Sequence, residues 1–358
     1  MNKLAAKLFA LIFTLAAAVS VPGAATLDIY WIDVEGGAST LIVTPAHESI
    51  LVDTGWPGST PGQEGKSAGR IHAAAVAAGL SKINYLILTH FHIDHYGGAA
   101  DLAKLMPIGE VLDNGIPDHD SDGVTNNDQR FARSIQPYRD FKAESRQVIQ
   151  PGQALALKQS SDTAPVSFSC LGARQQFPAP PGMSSNVVCS ESVPHATDTT
   201  DNANSVVMLL KFGPFRFFDG GDLTWNMEAK LVCPYNLPGP VDVYQADHHG
   251  LNLSNNPLLV RSLAPTIAVI DNGPHKGGMP QTLATLRGVP SIQTIYQLHR
   301  NVLGGAEFNT DSQYIANLPQ QCEGNYIKCS VDPSGKSYTI TIPATGLSKT
   351  YATVLNRP

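Results

Sequence analysis

Short apolar segments bounded by glycine and proline recur along the first hundred residues. Those of strand length cover residues 27–34, 39–43, 49–52 and 83–88. The last of them is apolar throughout, which predicts a strand buried on both faces of a sheet. Residues 67–80 are rich in alanine and end beside Gly79, which predicts a helix with its glycine near the C-terminus.

The same order of strands and helices returns in the second half of the chain. Predicted strands cover residues 205–212, 215–218, 241–246, 267–270, 294–298 and 338–342, and predicted helices cover residues 257–263 and 280–286. Two strand-rich runs, each followed by helices, predict an α/β fold of the αββα type, in which helices cover a sandwich of two sheets.

The middle of the chain has a different composition. Residues from about 113 to 204 are rich in Pro, Ser, Asp and Gly and contain only short apolar runs. This composition favours a loop-rich insertion over a second compact domain. We therefore predict a single domain over residues 26–358.

The N-terminus has the order of a secretory signal peptide. Lys3 and Lys7 precede an apolar run over residues 8–19, and small residues follow up to Ala25. A membrane anchor is the alternative, but this run is shorter than the roughly 20 apolar residues that a membrane-spanning helix needs. We predict removal of residues 1–25 and a secreted or periplasmic protein, with no membrane attachment afterwards.

The net charge of the chain indicates which kinds of binding partner to expect. The chain has 24 Lys and Arg residues against 30 Asp and Glu residues, a formal net charge of −6. An acidic protein does not attract polyanions by its overall field, so nucleic acid is disfavoured and a small-molecule substrate is expected. The oligomeric state stays open.

Five cysteines in an exported chain permit disulfide bonds. Cys322 and Cys329 bracket a short turn and are the first expected pair. Cys170 and Cys189 flank a loop and are the second, which leaves Cys233 over. The sequence has no CxxC pair, so a zinc site built on cysteines is not expected.

Three of the eleven histidines lie within six residues, directly after the buried strand at residues 83–88. They form the run His90, His92, Asp94 and His95. Neutral imidazoles and a carboxylate suit zinc and related first-row metals, and a loop at a strand end can turn all four side chains inward. A polar surface loop is the alternative, but it does not account for so dense a cluster.

This motif, THFHIDHYGG at residues 89–98, resembles the signature of the metallo-β-lactamase superfamily. Asp53-Thr54-Gly55 resembles its upstream element, Gly220-Gly221-Asp222 its later strand-end element, and Asp247-His248-His249-Gly250 its closing histidine element. The resemblance implies the αββα sandwich of the metallo-β-lactamase type and a metal-dependent hydrolase.

A subgroup of the superfamily is also indicated. Residues 32–37, residues 202–205 and residues 248–250 resemble the hydrolase domain of bacterial competence DNA-uptake proteins and of secreted phosphocholine-type esterases. The chain departs from the competence pattern at Ala38, where that pattern has an acidic residue, and at Met279-Pro280, where it has histidine-proline. The nuclease activity is therefore not carried over.

The resemblance also implies the ligands of a two-ion centre. His90 and His92 would hold one ion, Asp94 and His95 a second, and Asp222 would bridge the two, with Asp53 supporting the site from behind. Two zinc ions are expected, with manganese or iron as alternatives. The expected catalytic residues are Asp94, His248 and His249.

Some assignments stay open at this point. One of His248 and His249 is expected to be a ligand and the other a proton donor or substrate contact. His195 and Asn204 are candidates for a third ligand of the first ion. The pairs His275-Lys276 and His299-Arg300 follow strand-like runs and are candidates for binding an anionic group, or are solvated loops.

Three hypotheses for the function follow. The first is hydrolysis of a phosphodiester or a related small ester by metal-bound hydroxide. The second is hydrolysis of a lactone, an amide or a carbon–halogen bond by the same centre, because a fold does not determine its substrate. The third is a non-catalytic metal-binding protein, which would not require both complete ligand sets.

Overall fold

The structure is a computed structural model that describes residues 25–191 and 193–355. The predicted signal peptide lies outside the described residues except for Ala25. Among the described residues, no helix has the length and apolar character needed to cross a membrane.

Two sheets form the centre of the described chain. The order of the first sheet is β16-β15-β14-β1-β2-β3-β4-β5-β6, in which β1 is Leu27–Trp31, β2 Thr40–Val43, β3 Ser49–Val52, β4 Ile83–Ile87, β5 Ile108–Asp113, β6 Ser145–Val148, β14 Ile327–Val331, β15 Ser337–Ile342 and β16 Leu347–Ala352. The order of the second sheet is β13-β12-β11-β10-β9-β8-β7, in which β7 is Val166–Gly172, β8 Val207–Phe212, β9 Phe215–Asp219, β10 Val243–Gln245, β11 Ile267–Ile270, β12 Thr294–His299 and β13 Ile315–Asn317.

Helices cover the outer face of each sheet. They are α1 (Lys66–Ala77), α2 (Ile93–Tyr96), α3 (Ala99–Leu105), α4 (Asp128–Asp140), α5 (Trp225–Val232), α6 (Pro257–Leu263) and α7 (Pro280–Arg287). The apolar faces of α1, α3 and α4 share a core with the first sheet, and those of α5, α6 and α7 share a core with the second. The predicted αββα sandwich is confirmed.

A third core lies between the two sheets and explains the continuous apolar strands. In β1 the side chains of Leu27, Ile29 and Trp31 enter this central core, whereas Tyr30 packs beneath the helices. Successive side chains of a strand point to opposite faces, so a strand covered on both sides needs apolar residues at nearly every position.

Part of the segment that was predicted to be loop-rich is regular. It contains α4, β6 and β7 besides long irregular stretches. In β7 the core side chains Val166, Phe168 and Cys170 alternate with two serines and a leucine that are only partly buried. This alternation is a strand pattern, but the serines give it the composition of a loop.

Both expected disulfide pairs are wrong. Cys170 and Cys329 lie on strands and face the core between the sheets, and both are free, as is Cys322. The disulfide joins Cys189, in a 3₁₀ turn over Val187–Glu191, to Cys233, directly after α5. Packing of the turn against α6 brings these two cysteines together, although 44 residues separate them in sequence.

Candidate metal centre

The residues of the motifs meet at one edge of the sandwich, because each follows the carboxyl end of a strand. Strands β3, β4 and β5 run parallel in one sheet, and β9, β10, β11 and β12 run parallel in the other. Loops that leave the carboxyl ends of parallel strands line a common crevice. The loops after β3, β4, β9 and β10 carry Asp53, the His90–His95 run, Asp222, and the pair of His248 and His249.

Asp222 lies at the centre of the cluster. Its Oδ2 is 3.2 Å from His95 Nε2, 3.4 Å from His248 Nε2, 3.5 Å from His249 Nε2 and 3.8 Å from His90 Nε2. All five side chains are buried. One carboxylate oxygen is therefore shared by imidazoles from two loops, those after β4 and β10, and this is the position in which the resemblance places a bridging ligand.

The potential ligand atoms form two groups. His90, His92 and Asp222 make one, and Asp94, His95 and His249 make the other, with the ligand atoms of each group within 4.8 Å of one another. His249 Nε2 is also 3.4 Å from Asp94 Oδ2. The structure thus brings together the metal-binding residues predicted from the sequence in two sets, with Asp222 between them.

The hydrogen bonding of the imidazoles fits metal ligands. Within the described part of the chain, the buried Nε2 atoms of His90, His95 and His249 have no hydrogen-bond partner. Buried polar atoms are almost always paired, so several unpaired ring nitrogens facing carboxylates indicate a bound cation. Nitrogen and carboxylate ligands suit zinc, iron or manganese.

Carboxylates behind the imidazoles orient two of them by hydrogen bonds, and a third carboxylate lies close to His249 without a hydrogen bond. Asp53 Oδ2 is 2.7 Å from His95 Nδ1, Asp122 Oδ1 is 2.8 Å from His92 Nε2, and Asp271 Oδ2 is 3.3 Å from His249 Nδ1. A carboxylate on one ring nitrogen fixes the tautomer and leaves the other nitrogen free to bind a metal. Asp53 also accepts hydrogen bonds from the backbone N–H and the hydroxyl of Thr89.

The surroundings of the cluster shift the pKa values of its members in different directions. Burial, together with His95 and His92, lowers the pKa of His90 well below its ordinary value, so this imidazole is neutral. Burial alone would raise the pKa of Asp222, but the imidazoles of His95 and His249 outweigh it and hold that pKa well below its ordinary value. Burial would lower the pKa of His95, but Asp222 and Asp53 raise it to about 10. Burial and Lys276 would lower the pKa of His249, but Asp222 and Asp271 raise it well above its ordinary value. A metal ion that binds these two rings would therefore have to displace a proton from each.

The loop after β10 has a strained backbone that separates its two histidines. His248 and His249 both adopt the left-handed conformation, with φ of 57° and 54°. This region costs a residue other than glycine about 1–3 kcal/mol and is common at active sites. The backbone N–H of His248 donates to Gly221 O and the Asn255 side chain donates to Asp247 O, which holds the loop in place.

The two histidines consequently differ in surroundings. His249 belongs to the ligand group of Asp94 and His95. His248 is outside both groups, and its Nδ1 lies 3.3 Å from Ser254 Oγ. Burial lowers the pKa of His248 to about 4, so it is neutral at neutral pH. The geometry favours His249 as the closing ligand and His248 as a hydrogen-bonding contact.

Gly221 is required where the loop after β9 meets the histidine run. Its φ is +58°, and a Cβ atom there would lie 2.8 Å from the Cβ of Thr89. A larger residue would push Asp222 away from the imidazoles, because the two loops are in direct contact at this point.

The two candidates for a third ligand of the first ion make other contacts in the structure. His195 is exposed and stacks on Trp225, with ring centroids 3.8 Å apart. The Asn204 side chain donates to Asp201 Oδ1 and accepts from Gln175. Both side chains are held by neighbours in the long irregular segment before β8, so their positions in the sequence gave no guide to their surroundings.

Of the two candidate anion-binding pairs, one supplies a residue to the site. Lys276 Nζ pairs with Asp94 Oδ2 and lies 5.7 Å from the centroid of the Trp56 ring. His275 instead contacts Gln320, at 2.8 Å. His299 is buried, and Arg300 is exposed.

Sequence reasoning missed two of the supporting carboxylates. Asp271 directly follows β11, the neighbour of the strand that carries His248 and His249, so its position at a strand end was a usable signal. Asp122 comes from the segment between β5 and α4, which has no periodic pattern, and no signal indicated it.

Comparison with protein families gives one match over part of the chain. The family model described as the metallo-beta-lactamase superfamily matches residues 32–157, which hold Asp53 and the His90–His95 run. That superfamily includes metal-dependent hydrolases, and its fold binds divalent metals. No curated protein sequence matches the chain.

Solved structures with a similar course of the chain are distant in sequence. The metallo-beta-lactamase fold protein YhfI from Bacillus subtilis has 13% identity and a TM-score of 0.45, covering 76% of this chain and 96% of its own. A diphosphatase of the PhnP family has 12% identity and a TM-score of 0.38, with coverage of 77% and 96%. CmlA, a diiron beta-hydroxylase from Streptomyces venezuelae, has 15% identity and a TM-score of 0.35, with coverage of 70% and 45%.

Proposed function

We propose that this chain is a metal-dependent hydrolase of the metallo-beta-lactamase superfamily and that it hydrolyses a phosphodiester or a related small ester outside the cytoplasm. The observation that carries the proposal is the shared position of Asp222 between two ligand groups, with the cationic side chain of Lys276 beside one of them.

Each of the two ligand groups would bind one ion. His90 and His92 would hold one ion and Asp94, His95 and His249 the other, with Asp222 between them. Two ions held in this way would lower the pKa of a bound water to near neutrality and would polarise the ester oxygen under attack. Asp53 and Asp122 keep the imidazoles of His95 and His92 oriented, because each bonds one ring nitrogen and leaves the other for an ion.

Two further side chains act on the substrate. Lys276 supplies a positive charge that an anionic ester needs when it approaches a site containing two buried carboxylates. His248 is neutral and can donate one hydrogen bond to an oxygen on which charge develops. These roles favour an anionic ester over a neutral lactone.

The direct test is the turnover of the metallated mature protein on a panel of substrates. We expect the highest kcat/KM for phosphodiesters such as bis-nitrophenyl phosphate, with lower values for phosphomonoesters, lactones and β-lactams. A lactone or β-lactam with a higher kcat/KM than every phosphodiester would refute the proposed substrate class, and no turnover of any member would favour a non-catalytic metal-binding protein.

Removing the charge of Lys276 should discriminate between anionic and neutral substrates. In Lys276→Met we expect KM for a phosphodiester to rise about 10-fold, since a hydrogen bond to a charged group contributes roughly 1.5–3 kcal/mol. The KM for a neutral nitrophenyl ester should stay within a factor of about two. Lys276→Arg retains the charge and is the matched control; equal losses on both substrates in Lys276→Met would assign the residue to the structure of the site.

Export from the cytoplasm is proposed from the N-terminal sequence, with Lys3, Lys7 and the apolar run after them. Mass spectrometry of protein recovered from a native host is expected to give an N-terminus close to Thr26. Recovery of the chain with Met1 intact from a cytoplasmic fraction would contradict both the cleavage and the site of action.

A further inference from the structure

A second set of chemically reactive side chains lies near the site but takes no part in the reaction above. Asp33 follows β1, His299 ends β12, and Cys322 lies in the loop between β13 and β14. Their potential ligand atoms are all within 4.8 Å of one another. Three segments that are distant in sequence thus place a carboxylate, an imidazole and a thiol together.

His299 is oriented as a metal ligand. It is fully buried, and its Nδ1 is 3.0 Å from the backbone carbonyl oxygen of Arg300. A carbonyl accepts only from an N–H, so this contact places the proton on Nδ1 and leaves a lone pair on Nε2. Among the described residues, Nε2 of His299 has no hydrogen-bond partner. It is one of the atoms that approach Asp33 and Cys322.

The other two side chains complete the donor set. Cys322 Sγ is 3.2 Å from Asp33 Oδ2, and Asp33 Oδ1 accepts from the backbone N–H of Glu35 at 2.8 Å. Asp33 is fully buried, while Cys322 is partly buried and free. A carboxylate held at one oxygen by the backbone has its other oxygen directed at the thiol and the imidazole.

Arg70 connects the segment of Asp33 to the segment of Cys322. Its guanidinium donates to Asp33 O and to Cys322 O, both at 3.0 Å. It also pairs with Glu35 Oε1 at 3.1 Å and lies 3.6 Å from Asp33 Oδ2. Glu35 also pairs with Lys66 at 2.9 Å, so it balances part of the positive charge beside Asp33. The Asp33 carboxylate and a Cys322 thiolate add the two negative charges that face a cation between them.

We propose that Asp33, His299 and Cys322 form a further metal site that binds Zn²⁺ or a similar borderline-soft divalent ion. One thiolate, one imidazole and one carboxylate are ligands that zinc accepts, and water can complete the coordination. Cys322 binds a metal as the thiolate and not as the thiol, so binding releases the thiol proton of Cys322 to solvent. The site explains a free cysteine whose nearest expected partner, Cys329, faces the core.

The site would link the segment after Asp33, which packs beside the candidate metal centre, to the rest of the fold. A Cβ atom on Gly36 would lie 3.2 Å from the Cβ of Lys276, so the segment after Asp33 packs directly against the segment that carries Lys276. An ion bound to Asp33 would connect this segment to the end of β12, through His299, and to the loop that carries Cys322. We assign this further site a structural role, because none of its three ligands belongs to the two ligand groups of the candidate metal centre.

Cobalt substitution tests the site separately from the catalytic centre. The full chain is stripped of metal and titrated with Co²⁺ without oxygen, and the near-ultraviolet thiolate-to-cobalt absorption is recorded with the number of bound ions. The group around Asp222 contains only His and Asp ligands, so this absorption reports on Cys322 alone. We expect the thiolate-to-cobalt absorption in the unaltered chain. Cys322→Ser should lack this absorption and should bind about one ion fewer per chain.

Two controls complete the experiment. His90→Ala with His92→Ala should keep the thiolate absorption, since it alters only the catalytic centre, and Cys170→Ser should keep it too. His299→Gln should weaken or abolish it. The proposal is overturned if the unaltered chain shows no thiolate absorption with its catalytic centre filled, if the absorption survives Cys322→Ser, or if Cys322→Ser binds as many ions as the unaltered chain.

Discussion

Replacing His90 and His92 together by alanine is expected to remove metal and activity in one step. Each imidazole presents a ring nitrogen to the group that contains Asp222, and alanine offers no ligand in its place. Metal polarisation contributes several kcal/mol to such reactions, and each 1.36 kcal/mol is tenfold in rate, so kcat/KM should fall by about 1,000-fold or more. Elemental analysis and turnover on the best substrate measure both losses.

His195→Ala is the matched control for this pair. His195 was also considered as a ligand from the sequence, but it is exposed and stacked on Trp225. This variant should retain its full metal content and nearly all of its activity. A chain lacking the imidazoles of His90 and His92 that still held a full complement of metal in the centre around Asp222 would show that the assigned ligands are wrong.

Alanine at His248 and alanine at His249 should cause different defects. His249→Ala loses a ligand beside Asp94 and His95, so we expect weakened metal binding and loss of activity with it. His248→Ala should keep its metal and lose about 100- to 1,000-fold in kcat, the usual cost of removing one donor to a developing oxyanion. Zinc content and kcat of the two purified variants make the comparison.

The two variants are matched in backbone strain, because both residues have left-handed φ angles. Leaving groups refine the test. Burial lowers the pKa of His248 to about 4, so at neutral pH the ring is a neutral hydrogen-bond donor and not an imidazolium acid, and its loss should affect nitrophenyl and alkyl esters alike. A defect confined to poor leaving groups would make His248 a general acid, and metal loss in both variants would make both residues ligands.

Much of the sandwich follows from the sequence, because strand and helix patterns are local. The segments predicted at residues 49–52, 257–263 and 267–270 coincide with β3, α6 and β11. The patterns failed where burial alternates with serine, as in β7, and where the strand lies near the C-terminus after a turn-rich stretch, as in β14. A short alternating segment has too few positions to stand out from a loop.

The metal centre was also predictable in outline. The run from His90 to His95 is contiguous, and Asp53, Asp222 and the pair of His248 and His249 each follow a recognisable strand. Parallel strands present their carboxyl ends at one edge, so residues in these positions converge wherever the sheets are formed. The sequence alone therefore determined which residues meet.

Only the tertiary structure decided how they are arranged. The left-handed turn at His248 and His249 directs one imidazole into the ligand group and the other to Ser254, and adjacent positions in a sequence carry no such distinction. The pairing of Cys189 with Cys233, and the meeting of Asp33 with Cys322, join segments whose distance depends on the order of strands and helices. Contacts of this kind arise from packing between elements, and no local pattern of residues encodes them.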